Sequence, residues 1–330
     1  MNKPGICIIA LIAVLLLVAS SALARPPVTV SECGTVITEP GKYQVTQDLY
    51  CSPDQQGIWV LASDVTVDLK GHMITCDASG DELVGAVLVG DVFDPNLVLN
   101  NVRVKKGTVS GCDDGVIFFF TQSAKVTKMS LVGNLDGGIT LLGAEDTLVK
   151  NNVAIGNITG IRSFGGVNNQ IKGNSLHNNF DTGVFVDNGE TDSTLTCNTS
   201  ERDAFGIALG PFSSGNLVRG NLIDNAAVAG ITLFGVGVPE EIFQPVPAGN
   251  LIRSNRVQGS GAVDLSEIVF NPFTGEIFVP DGAQCQNTWT MNQYVTQQGP
   301  IDCIRAPVAL DDDDVCALDV DDNDEDENDD

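Results

Sequence analysis

The chain has 330 residues, 43% of them hydrophobic and only 6% aromatic, with a formal charge of −26 at pH 7. A charge of that sign and size repels nucleic acid and anionic lipid, so neither is expected as a partner. Beyond the N-terminus no stretch is apolar for the ~20 residues that a helical membrane span requires, so none is expected.

At the N-terminus, Lys3 precedes an apolar run from Ile6 to Ala19, and Ala22-Leu23-Ala24 then reads as a small-x-small cleavage site before Arg25. This is the pattern of a secretory signal peptide over residues 1–24, with cleavage near Ala24. The mature protein is then secreted, periplasmic or held at the cell surface. Of nine cysteines, Cys7 leaves with the signal and eight remain, an even number that points to disulfides in an exported chain. Cys33 with Cys51, and Cys285 with Cys303, each close a short loop near one end. Cys76, Cys112, Cys197 and Cys316 are left open, a Cys76–Cys112 bridge being one option. There is no Cys-x-x-Cys, and His72 and His177 are the only histidines, so no metal site is expected from these residues.

From about residue 57 a repeat governs the chain. Gly57, Gly85, Gly115, Gly138, Gly160, Gly183, Gly206 and Gly230 follow one another at steps of 28, 30, 23, 22, 23, 23 and 24 residues. The places one and three after each glycine are Ile58/Val60, Ala86/Leu88, Val116/Phe118, Ile139/Leu141, Ile161/Ser163, Val184/Val186, Ile207/Leu209 and Ile231/Leu233. All but Ser163 are apolar, the period-two mark of a strand with one buried face. The glycine reads as backbone freedom for a sharp turn at the strand entrance. Half a repeat later comes a second strand, as in "TLVKNN" (147–152), "NQIKGN" (169–174) and "NLVRGN" (216–221), and a short third segment follows it. Three strands and three turns per repeat predict an all-β fold: a single-stranded right-handed parallel β-helix with disulfide-stabilised end caps. It is expected as one domain over 25–310, with about nine coils between roughly residues 30 and 284, stable only through stacking. Asn152, Asn174, Asn198, Asn221 and Asn255 share one place in successive coils and predict a ladder of stacked amides.

Residues 311–330 carry thirteen of the 43 acids and no base; without them and Lys3, the charge of −26 falls to −14. With almost nothing to bury, this stretch is expected to be a disordered acidic tail that solvates the protein or binds divalent cations loosely.

These repeats resemble those of the right-handed β-helix, pectin-lyase-like superfamily, including its NosD-type repeats. "ASDVTVDLKGHMI" (62–74) is similar to the opening coil of many exported members, and "CQNTWTMNQYVTQQGPIDCI" (285–304) to the end cap of exported β-helix proteins. The resemblance covers about residues 30–305. It implies the fold, and with it a choice among pectate lyases, polygalacturonases, alginate epimerases and copper-enzyme maturation proteins. The catalytic motifs of those enzymes are not matched. Asp113-Asp114 lacks the Gly-His-Gly and Arg-x-Lys that accompany the polygalacturonase pair. Asp94-Pro95-Asn96 lacks the His and Glu of the epimerase motif.

Three sets of residues could still carry function. Lys128, Lys150, Lys172, Arg219 and Arg253, broken by Thr196, read as a basic column: a solvated face, or a track for an anionic polysaccharide. Asp113, Asp136 and Asp181 fall two places before the repeat glycine, and with Asp114 they are the candidate catalytic carboxylates. They could act as an acid–base pair or hold calcium, the one cofactor in question; ordinary turn chemistry is the alternative. Trp59, Ile117, Phe119, Phe164, Phe185 and Phe234 form an apolar set on the outer side of the first strand, to stack on sugar rings or to lie under the inserts at 76–84, 90–96 and 235–249. The two histidines read as isolated surface residues. Three functions follow: a carbohydrate-engaging exported protein, binding only or with lyase, hydrolase or epimerase chemistry; an adhesion or structural module that docks protein partners; and, with so few Met and His, a metal-handling coil last. Oligomeric state is not legible.

Overall fold

The computed structural model describes residues 26–52, 55–77, 85–238, 241–279, 285–299, 303–310 and 316. The expected signal peptide, the acidic stretch 311–330 apart from Cys316, and residues 78–84 of the first insert lie outside the described residues.

The chain is a right-handed parallel β-helix. Two long sheets run its length, and nearly every pairing joins one coil to the next in parallel register. The first sheet gathers the glycine-led strands, from Thr35–Ile37 and Ile58–Val60 through Gly137–Leu142 and Thr182–Asp187 to Val263–Phe270. The second sheet holds the other two strands of each coil. They merge into one sheet because Arg103–Ser110 and Lys125–Val132 each run through both without a break. The interior is filled by apolar columns in strict register, such as Val116, Ile139, Ile161, Val184, Ile207, Ile231 and Leu265, all at most 1% exposed. This is the period-two pattern expected of the alternating strands.

The repeat glycines serve a different purpose from the expected turn. Their φ values are not positive. A Cβ on Gly138, Gly160, Gly183 or Gly206 would sit 2.6 Å from the carbonyl oxygen of the glycine in the next coil. Glycine is therefore required by close approach of backbones, not by turn conformation. The register also corrects one assignment. Val116 pairs with Val87, and Val87 with Ile58, so Ala86 and not Gly85 stands in the glycine column. Val87 and Val89 point into the core, and Leu88 points outward.

The asparagine ladder extends by one step beyond the expected five, to Asn292. Each side-chain oxygen accepts a backbone N–H from the previous coil, and each amide N–H donates to a carbonyl of that coil. Asn198, for example, accepts from Asn174 N (3.0 Å) and donates to Ile171 O (2.8 Å). Two further ladders, one through Asn134, Asn157, Asn179 and Asp203, the other through Asn169, Ser193, Asn216, Asn250 and Asn287, line other corners. Each buried amide is thereby satisfied.

Coiling does not stop near residue 284. Thr288–Thr290 pairs in parallel with Leu251–Arg253, and Gln297–Gln298 with Leu265–Ser266, so the expected end cap is itself largely another coil. Trp289 plugs its interior and donates its indole N–H to the buried Glu267. Four disulfides join Cys33–Cys51, Cys76–Cys112, Cys197–Cys316 and Cys285–Cys303. The third corrects the picture of a free tail: Cys316 is bonded to the body of the coil.

Candidate functional site

The acidic and aromatic candidates converge on the outer face of the first sheet. One outward column there reads Trp59, Leu88, Ile117, Thr140, Arg162, Phe185, Ala208, Thr232 and Ser266 along the axis. Its neighbour reads Phe119, Leu142, Phe164 and Asp187. At the N-terminal end, Leu88, Ile117 and Phe119 form a buried cluster outside the main core, with Trp59, Phe120 and Leu142 against it. Trp59 donates its indole N–H to Gly90 O (2.8 Å), at the foot of the excursion 91–98. These aromatics are covered, as one of the two readings had it.

At the other end the strands outrun the coil. Ala229–Val238 turns back as the antiparallel strand Glu241–Gln244, and Val263–Phe270 as Ile277–Phe278; Phe243 meets Phe273 edge-on between the two extensions. They wall a pocket of about 150 Å³ lined by Phe185, Phe205, Ala208, Thr232, Phe234, Ile268, Phe270 and Ile277, with Asp181 and Thr182 at its edge. Phe164 lies edge-on to Phe185 (5.3 Å), and Phe185 stacks with Phe234 (6.1 Å) across the coil of Ala208, whose small side chain leaves room.

Between the two ends lies a polar floor. Arg162, in register with Thr140 and Phe185, reaches back to clasp both oxygens of Asp136, one contact being Nη1 to Oδ2 at 2.9 Å. Its guanidinium also lies 5.5 Å from the Phe164 ring centre, a cation–π contact. Asp114 is buried below; its Oδ1 accepts from Thr140 Oγ1 (2.7 Å) and Gly137 N (3.0 Å). Burial raises its pKa to about 6, against the opposing pull of the Thr140 hydrogen bond; nearby Asp136 adds to the rise and Arg162 offsets it. Burial likewise raises Asp181, with the Thr182 hydrogen bond and Arg162 opposing, and raises Asp187 against the Asn188 hydrogen bond.

The expected acidic column is therefore a spatial column, Asp136 N bonding Asp113 O and Asp181 N bonding the intervening Ile158 O. Its members differ in access. Asp113 and Asp114 are buried, 6% and 3% exposed, whereas Asp136 and Asp181 reach solvent. The first two can shape the floor, and only the second two can meet a ligand directly. Asp203, in the next coil, belongs to an asparagine ladder, accepting from Asn179 and Ser200. Among the described residues no group of three or more His, Cys, Asp or Glu is arranged to hold a metal ion.

Arg162 escaped the sequence reading. The signal was there: it is the charged residue at an outward place that Trp59, Ile117 and Phe185 fill with apolar groups.

The basic candidates lie on the second sheet, away from this floor. In register, the column is Lys105, Thr127, Lys150, Lys172, Thr196, Arg219 and Arg253. Lys128 is not a member. It takes φ 56° and stands at the corner between the second and third strands, the place of Asn151, Gly173 and Cys197 in later coils. The histidines are not isolated either. His72 Nδ1 lies 3.3 Å from Asp48; His177 Nε2 lies 2.6 Å from Ser175 Oγ, and its Nδ1 3.4 Å from Glu201.

The model of the family described as "Periplasmic copper-binding protein (NosD)" matches residues 63–301. No curated protein matches the chain. Among solved structures, the periplasmic alginate epimerase AlgG superposes with a TM-score of 0.61 at 14% identity, covering 83% of this chain and 69% of that one. PfbA, a surface adhesin of Streptococcus pneumoniae, does so with a TM-score of 0.52 at 10% identity, covering 77% and 74%. At such identities the likeness is one of fold.

Proposed function

The chain belongs to the NosD family, and from that premise and the floor of the first sheet we propose that it is an exported polysaccharide-binding β-helix whose ligand lies along this face. The observation that carries the reading is the juxtaposition of Phe185 and Phe164 with Arg162, Asp136 and Asp181 on one rigid surface, closed at one end by an apolar wall. Aromatic faces stack on sugar rings, while carboxylates and guanidinium exchange hydrogen bonds with hydroxyls. Several acids against one arginine give the floor a negative balance, which favours a glycan without acidic groups. The structural neighbours named for alginate epimerisation and surface adhesion are compatible with a carbohydrate role.

Copper, named in the family description, fits poorly here. It would need converging imidazole, thiolate or thioether donors. All eight cysteines after Cys7 are in disulfides, and Met129 is buried in the core; His72 and His177 belong to different coils, each beside an acid, and the exposed thioethers Met73 and Met291 lie in coils at opposite ends, so no more than one imidazole and one thioether fall together. The proposal is of binding; lyase, hydrolase or epimerase turnover is the alternative.

A glycan array probed with the mature chain tests the reading. Binding to neutral polysaccharides is expected, lost in Phe185→Ala and in Arg162→Met while the far-UV circular dichroism stays unchanged. Absence of any glycan signal, or binding indifferent to both substitutions, overturns it; release of shortened or epimerised sugar moves the assignment to an enzyme.

A further inference from the structure

The third strand of one coil, Ser175–His177, carries chemistry that the floor of the first sheet does not use. Its middle residue, Leu176, is buried in the core, so alternation turns Ser175 and His177 to the outer face together. The strand is clamped at both ends. Asn174, just before it, and Asn179, two places after it, are buried members of two asparagine ladders. The next coil lays Thr199–Glu201 alongside, with Thr199 in register with Ser175 and Glu201 with His177.

Hydroxyl, imidazole and carboxylate follow one another in space. His177 Nε2 lies 2.6 Å from Ser175 Oγ, and His177 Nδ1 lies 3.4 Å from Glu201 Oε2. Arg202 Nη2 holds the other carboxylate oxygen, Oε1, at 2.9 Å, which leaves Oε2 to the imidazole. A carboxylate beside Nδ1 keeps a proton on that nitrogen, so Nε2 is left to accept the serine O–H. A serine bonded to a base that a third group orients is an activated nucleophile, recognised by geometry rather than by fold. The repeat supplies its own contrast: two coils earlier Ser130 occupies the place of Ser175, but Val132 occupies that of His177. The face is open to a substrate, with His177 25% and Glu201 33% exposed, and the preceding coil flanks it with the aliphatic Val153 and Ile155.

We propose that Ser175, His177 and Glu201 form a hydrolytic site for carboxylic esters of small aliphatic acids. It lies on the second sheet and is independent of the glycan reading of the first. Ser175 Oγ attacks the ester carbonyl carbon and passes its proton to His177 Nε2. His177 returns that proton to the leaving oxygen, so an alcohol departs and the acyl group stays on Ser175. Water then attacks the acyl carbon, giving a proton to His177, which returns it to Ser175 Oγ as the free acid leaves. Thr199, beside Ser175, has the hydroxyl to donate to the carbonyl oxygen as that oxygen gains charge. Val153 and Ile155 receive the acyl group. Glu201 is a positioning residue, acting through the imidazole.

Labelling of the intact mature chain with a fluorophosphonate, followed by peptide mass spectrometry, tests this directly. An adduct is expected on Ser175, formed at least about tenfold faster than on Ser130, and slowed about a hundredfold by His177→Ala. Glu201→Gln should slow it about tenfold, and Glu201→Asp, which keeps the carboxylate, should fall between that variant and the native chain. The substituted side chains face outward, so melting temperatures should stay within a few degrees. Equal labelling of Ser175 and Ser130, or labelling of Ser175 that survives His177→Ala, overturns the proposal. As a second measurement, the native chain should release p-nitrophenol from p-nitrophenyl acetate several-fold faster than Ser175→Ala. Equal rates also overturn it.

Discussion

Arg162 reaches back one coil to hold Asp136 through both carboxylate oxygens, and in doing so places its guanidinium against the ring of Phe164. Three residues from two successive coils thus make one surface. Replacing Arg162 with Met removes the partner of Asp136 and the cation that offsets the rise at Asp114. The Asp114 carboxyl should then titrate above its present value of about 6, as read by carbon-13 shifts of the carboxyl groups. Stability should fall by no more than about 1 kcal/mol, because Asp136 is well exposed.

Asp114 predicts a pH dependence. Its native carboxyl titrates at about 6 against 3.8 unfolded, so the folded state binds the proton more tightly. The stabilisation is complete below about pH 3.8 and is lost as pH rises through 6. Asp114→Asn keeps an oxygen to accept from Thr140 and Gly137 and carries no charge. It should be more stable than the native chain at pH 7.5, by on the order of 1–3 kcal/mol, and nearly equal to it at pH 4. Equal melting temperatures at both pH values would contradict this.

Gly183 and Gly133 separate two uses of glycine. A Cβ at Gly183 would meet Gly206 O at 2.6 Å, Asp203 Oδ2 at 2.7 Å and Ser200 Oγ at 2.9 Å. At Gly133, φ is 61° but nothing lies within 4 Å. Gly133→Ala should cost about 1–2 kcal/mol, the left-handed penalty alone. Gly183→Ala should cost several kcal/mol more, since neighbouring backbones must part. Urea denaturation of the two variants compares them.

Asn198 stands in the middle of its ladder. Asn198→Ala leaves Asn174 N and Ile171 O without their partners in a buried corner. A loss of about 2–4 kcal/mol is expected from urea denaturation, against ~0.5 kcal/mol or less for an exposed asparagine such as Asn96.

Cys316→Ser opens a loop of 119 residues between the bridged positions. Chain-entropy arguments put the loss at up to about 5 kcal/mol, visible as a lower melting temperature. The same loss should follow truncation after Leu310, which removes Cys316 with the rest of the acidic stretch.

The sequence by itself determined the architecture. Alternation after a recurring glycine, and asparagine at one fixed place, are local consequences of stacking identical corners, so each repeat states them afresh. Cys33–Cys51 and Cys285–Cys303 were legible because each spans few residues. Register was where sequence reading slipped. Gly85 looks like the repeat glycine, but Ala86 fills the column; Lys128 looks like a member of the basic column, but it turns the corner. A one-residue shift reverses which way a side chain faces, and only the pairing of strands decides it. The same holds for Arg162 and Asp136, which are far apart in the chain and meet because coils stack. It holds for Cys197 and Cys316 as well, joined only because the C-terminal segment runs back along the coil, a path that no local pattern encodes.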